Sequence, residues 1–135
     1  MIVVIDVNAL LSALIKDSTS RAIIVQSGLE FFMPEIALHK IRKYQEYVMK
    51  KSELSRLEFL TIYHSLLRFI KLIPDEELLL HWKRAKEIMA SIDPEDVPFV
   101  AAALSLDAPV WSDDAHFEKQ NTITVFKTKV MVAFF

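Results

Sequence analysis

The chain contains no cysteine, one glycine and five prolines among 135 residues. Such a composition excludes a disulfide-stapled scaffold and a glycine- or proline-rich low-complexity chain, and leaves a compact one rich in regular structure. It says nothing about redox compartment. Apolar runs fall far short of the roughly 18 residues that cross a bilayer, so no membrane span is expected. No charged start leads into an apolar stretch with a small-residue cleavage site, which argues against secretion and makes the cytoplasm the expected location. Charge of one sign is also lacking. With a formal net charge of -2, any nucleic-acid partner has to be held by a local basic patch. What is abundant is hydrophobicity: 53% of the residues can fill a sizeable core, and residues 1–135 fit a single domain.

The chain is organised around its first eight residues. Ile2 to Ile5 are consecutive, apolar and mostly β-branched, the pattern of a strand covered on both faces in the middle of a parallel sheet. Asp6 ends that strand, where open α/β sheets place their ligands beside the point at which strand order reverses. The structural alternative is that Asp6, with Asn8, caps a following helix through Ala9, Leu10, Leu11, Ala13, Leu14 and Ile15.

Further along, Asp17 to Ser20 read as a turn and cap, Arg21 to Ser27 as a short helix, and Gly28 as its left-handed terminator. Glu30 to Met33 form a second expected strand. Pro34 opens a helix with Ala37, Ile41, Tyr44 and Val48 on one face, while Lys40, Arg42, Lys43, Lys50, Lys51 and Arg56 make the surrounding stretch basic. Ser55-Arg-Leu-Glu58 has the form of a capping box, followed by an apolar stripe through Leu57, Leu60, His64, Leu67 and Ile70, and the two helices make a hairpin. Lys71 to Ile73 give a third strand. Asp75, Glu76 and Glu77 occupy the first turn of a helix whose buried face is Leu78, Trp82, Ala85 and Met89. Asp93-Pro94 starts another helix, with Phe99, Ala102, Ala103 and Leu106 inward. Pro109 to Ser112 and Ile123 to Phe126 are the fourth and fifth strands, and the tail from Thr128 to Phe135 is apolar and strand-like. Strands alternating with helices indicate a three-layer α/β domain with a largely parallel sheet.

The remaining acids gather at element ends: Asp93, Glu95 and Asp96 at a helix start, Asp113 and Asp114 after the fourth strand. If the sheet reverses between strands one and four, Asp6 and Asp114 become neighbours and the Asp93 helix can bring Asp96 to them. Three crowded carboxylates repel, and a hard divalent ion such as magnesium or manganese favours that all-oxygen arrangement. No histidine or cysteine pair has zinc spacing. Each acid also has a simpler role as a helix cap, but caps need not fall at the ends of the two strands that flank a chain reversal.

Asp6-Val-Asn8, Asp93-Pro-Glu-Asp96 and Ser112-Asp113-Asp114-Ala-His-Phe117, with the apolar residues around them, resemble the three signature blocks of PIN-domain nucleases. The resemblance implies a five-stranded sheet in the order 3-2-1-4-5 and a magnesium- or manganese-dependent endoribonuclease, as in VapC-like toxins held by an antitoxin. It implies Asp6, Asp96 and Asp114 as metal carboxylates, with Asn8, Asp93, Ser112 and Asp113 in support. One block departs from the pattern. Where the family has a glutamate on the helix after strand two, this chain has Lys40-Ile41, and Glu35 and Glu46 are rotated away from Lys40. His116 replaces a frequent aspartate.

RNA hydrolysis at a metal site is therefore the leading expectation, with Lys40, Arg42 and Lys43 as candidate phosphate contacts. The alternative is a weakened PIN-like module that binds RNA or a partner protein without cleaving. A phosphoacceptor receiver domain is disfavoured, because Asp6 stands alone and a helical hairpin separates strands two and three. The apolar hairpin also suggests a homodimer.

Overall fold

The computed structural model describes residues 1–15 and 19–134. The expected turn at Asp17 and Ser18 lies outside the described residues, as does Phe135.

Ile2–Ile5 form β1, the central strand of a five-stranded parallel sheet. It lies between β2 (Glu30–Pro34) and β4 (Val110–Trp111). With β3 (Ile70–Ile73) outside β2 and β5 (Val125–Phe126) outside β4, the order is 3-2-1-4-5, as expected. Pairing of Val3 with Phe31 and of Ile5 with Trp111 puts these four side chains on one face. There the Phe31 and Trp111 rings meet with centroids 5.7 Å apart.

Helices cover the sheet. After β1 come α1 (Val7–Ile15) and α2 (Thr19–Gln26), and Gly28 follows at φ 74°, the left-handed residue its position required. Between β2 and β3 lie α3 (Ala37–Lys43), α4 (Gln45–Ser52) and α5 (Arg56–Leu67). α6 (Asp75–Met89) and α7 (Val97–Leu106) pack together before β4. The Ser55 hydroxyl accepts from the Glu58 amide at 3.1 Å while the Glu58 carboxylate accepts from the Ser55 amide at 3.0 Å, so the capping box forms as read.

Four expectations need correction. The single helix after Pro34 is broken at Tyr44, whose φ of -98° and ψ of 6° leave the helical region. The buried stripe of α5 runs through Phe59, Tyr63 and Leu66, not Leu57, which is 76% exposed. Two apolar stripes interleave there, and the one carrying a stacked aromatic pair, Phe59 on Tyr63 at 5.8 Å, removes more surface from water. β5 is shorter than expected because the Gln120 side chain binds the backbone N–H and C=O of Ile123 and holds it in a loop. The tail is not a strand: Thr128–Met131 form α8, followed by a 3-10 turn over Val132–Phe134.

Candidate functional site

Asp6 emerges from β1 into α1. Its amide donates to the Trp111 carbonyl of β4, and its own carbonyl accepts from Ala9 and Leu10. The main chain thus begins the helix and leaves the carboxylate available. That carboxylate is buried and accepts from the Ser112 hydroxyl at 2.7 Å. The same hydroxyl oxygen accepts from the Asp114 amide at 3.0 Å, so Ser112 ties the ends of β1 and β4 together.

Asp93, Asp96, Asp114 and His116 each present a potential ligand atom, all within 4.8 Å of one another. A 3-10 turn over Pro94–Asp96 delivers Asp96, and another over Ala115–Lys119 carries His116. Both turns are capped from within the cluster: Asp93 Oδ1 accepts from the Glu95 amide and Asp114 Oδ1 from the His116 amide. Capping and clustering are thus the same arrangement here. The remaining Asp93 oxygen, Oδ2, lies 2.9 Å from His116 Nδ1.

Asp96 is the uncompensated member. It is 4% exposed, and its Oδ2 is a buried atom with no hydrogen-bond partner. Burial first, then the charges of Asp6, Asp93 and Asp114, push its pKa up to about 7, against a smaller opposing effect of Lys40. Burial also raises the Asp6 pKa, and the Asp114 charge adds to this, although Ser112, the Val7 amide and Lys40 oppose it. Asp93 moves downward: desolvation is outweighed by the Glu95 amide, His116 and Lys40.

Placement of the sequence candidates is uneven. Asp96 and Asp114 fall inside the tight group, while Asp6 stands beside it, turned to Ser112. Asp93 is a full member. Asn8 is exposed and lines a neighbouring cavity. Asp113 faces elsewhere: its two oxygens accept from the Thr128 amide at 2.8 Å and hydroxyl at 2.6 Å, so it anchors α8 and does not join the acids. Lys40 does reach the site, where its charge acts on Asp6, Asp93 and Asp96. Lys43 shares a cavity wall with Lys40, whereas Arg42 lines a different cavity beside Glu35, Asp75 and Glu76. Glu46 pairs with Arg56 at 2.9 Å.

One member of the cluster and one residue beside it have only weak signals in the sequence. His116 stands in the sequence only as a departure from the pattern, although its spacing from Asp114 places both on one short turn. Glu95, which pairs with Lys40 at 3.2 Å, had a signal in its charge, opposite to the unexpected lysine.

The donor set fits a divalent cation. It offers several carboxylates around one buried oxygen that nothing else satisfies, and Lys40 offsets only part of their charge. Fold and site together define an α/β protein with an acidic cluster at the carboxyl ends of its central strands. A family model for the PIN domain matches residues 4–132, and the chain belongs to the PIN-domain family. PIN domains are generally nucleases and typically use a divalent metal. No curated protein matches the chain. Among solved structures it is similar to the crystal structure of VapBC2 from Rickettsia felis bound to a DNA fragment from their promoter. The TM-score is 0.69 at 12% identity, covering 94% of this chain and 98% of that one. At that identity the likeness is one of fold.

Proposed function

We propose that this protein is a divalent-metal-dependent endoribonuclease, with Asp6, Asp96 and Asp114 as the carboxylates that would hold magnesium or manganese and Asp93 and His116 completing the cluster. The observation that carries the reading is Asp96 Oδ2, buried without a partner among three other carboxylates. An uncompensated buried acid is costly unless a cation or a proton meets it. A bound divalent ion supplies a water of lowered pKa and stabilises charge on the phosphoryl oxygens.

The chain's own residues orient and hold. Ser112 fixes Asp6 against the Asp114 backbone, and Asp93 holds His116 through Nδ1. Lys40 and Lys43 bring ammonium groups to the rim, suited to the phosphates that flank a scissile bond. Arg42, on another wall, is not assigned this role.

Manganese-dependent cleavage of single-stranded RNA tests the reading. Asp114→Asn and Asp96→Asn should each abolish it while leaving metal-free thermal stability unchanged or higher, since each relieves repulsion. Retained cleavage in either variant would overturn the assignment.

A second reading is favoured by the Lys40 and Glu95 pair, which puts a fixed cation beside the acids: a module that binds RNA or a partner protein without cutting. Metal affinity separates the two, because the second predicts none at millimolar concentrations. From the resemblance to VapC-like toxins and the likeness of fold to VapBC2, an antitoxin protein is a proposed partner, and self-association into a homodimer is proposed as well.

A further inference from the structure

The break at Tyr44 has no counterpart in a continuous amphipathic helix, and it changes what the basic hairpin presents. Tyr44 and Tyr47 are 36% and 56% exposed, unlike buried Tyr63. Both line a cavity of about 400 Å³ between α1 and the α3–α4 segment, together with Asn8, Ser12 and Lys40. A lysine stands beside each ring: Lys43 Nζ is 5.7 Å from the Tyr44 centroid, and Lys51 Nζ donates to the Tyr47 hydroxyl at 3.2 Å, at the ring's edge. The cavity reaches the acids through Lys40, whose charge acts on Asp6 and Asp96, and through Asn8, two residues after Asp6.

Exposed rings beside cations, in a groove next to a phosphodiester-cleaving centre, are the components from which single-strand binding surfaces are built. The π-face takes a base and the ammonium takes the phosphate beside it. Charge complementarity favours this occupant. The chain is net acidic, yet α3 and α4 bring Lys40, Lys43 and Lys51 to the two rings and their cavity. A duplex cannot use such a platform, since its bases are already stacked.

We propose that Tyr44 and Tyr47 form a base-stacking subsite for single-stranded RNA, set beside the acidic cluster and flanked by Lys43 and Lys51. The subsite rests on the ribonuclease reading and names the state of its substrate: an unpaired nucleotide neighbouring the cleaved bond. Stacking accepts any base, so the subsite selects single strands over duplexes without selecting sequence.

The test is binding of a short fluorescein-labelled oligouridylate to the full chain, followed by anisotropy in EDTA so that cleavage does not intervene. Tyr44→Ala and Tyr47→Ala should each weaken binding about tenfold, while Tyr44→Phe and Tyr47→Phe, which keep the ring, should stay within about twofold. Lys43→Met and Lys51→Met should each reduce the salt slope by about one. Duplex RNA should fail to compete. Circular dichroism establishes that each variant is folded, and an unfolded alanine variant is replaced by serine at the same position.

Unchanged affinity in the folded alanine variants overturns the subsite, as does a wild-type chain that binds no oligouridylate. Competition by duplex RNA also overturns it. So does conversion of a dimer to a monomer by the double alanine variant in light scattering, which would make this face a contact between copies. Manganese-dependent cleavage alongside unchanged binding removes the subsite and leaves the nuclease standing. Tenfold losses of binding without any wild-type cleavage keep the subsite and remove the nuclease.

Discussion

Lys40 Nζ and Glu95 Oε2 lie 3.2 Å apart, joining the helix after β2 to the turn that carries Asp96. Partial burial works against the ammonium, but the Glu95 hydrogen bond and the charges of Glu95, Asp6 and Asp96 outweigh it and raise the Lys40 pKa. The lysine stays charged beside the acids, and Glu95 draws it toward the rim.

This pair predicts opposite effects on metal affinity. Lys40→Met should tighten manganese binding about tenfold, roughly 1.4 kcal/mol, a modest figure because solvent screens a partly exposed pair. Lys40→Glu should tighten it further. Glu95→Gln should weaken binding, because the freed ammonium is drawn to Asp6 and Asp96. Isothermal titration checks all three, and equal affinities would show that the pair is electrostatically idle.

Asp96 predicts a pH dependence. Its carboxyl titrates near 7 in the folded chain and near the ordinary value of about 3.9 once unfolded. Between these values the folded state keeps a proton that the unfolded state releases. The associated stability is present below about pH 4 and lost as pH rises through 7. Raised Asp6 acts in the same direction. Melting temperature in EDTA should therefore fall between pH 5 and about 7.5. Asp96→Asn should flatten the fall, and excess manganese should reverse it. A flat wild-type profile would contradict the repulsion described for the cluster.

Asp113 and Asp114 are adjacent but predicted to behave differently. Asp113→Ala removes both contacts to Thr128 and loosens α8, whose Thr128 hydroxyl also accepts from the Trp111 indole at 3.0 Å. A stability loss of about 1–2 kcal/mol is expected with manganese affinity unchanged. Asp114→Asn should do the reverse. Thermal melts beside titration calorimetry separate them.

Self-association, which the sequence ties to the helical hairpin, is predicted instead at α6, where Leu79 and Leu80 are 68% and 90% exposed on one helix turn. Leu80→Glu should shift the light-scattering mass of a dimer to that of the 15.6 kDa chain. A wild type already at that mass would remove the expectation.

The sheet and the acids were legible in the sequence because their signals are strong and local. The unbroken apolar run from Ile2 to Ile5 reads as a covered strand, and Val3, Val4 and Ile5 are fully buried, with the carboxylates at the strand ends. The helical hairpin was less legible. Its two interleaved stripes, one through Leu57 and one through Phe59, fit a 3.6-residue period equally well, and tertiary packing chose between them. The tail misled for a different reason. Its apolar composition suits a strand, but the contacts that start α8 come from Asp113 and Trp111, which no window around Thr128 contains. Likewise, the partner of Lys40 lies 55 positions away, beyond the reach of any local pattern.

The strand order places the first of the five strands at the centre and leaves one of its edges to be completed by β4. During synthesis, β1 and its Asp6 are made before β4, and the neighbour that carries Ser112 and Asp114 emerges only after α7. A nascent chain translated as far as Asp107 has Asp6 and Asp96 but neither the hydroxyl that ties the first nor the third carboxylate. The proposed RNA-cutting site would then stay unassembled beside the ribosome making it, until the strands beyond residue 109 dock.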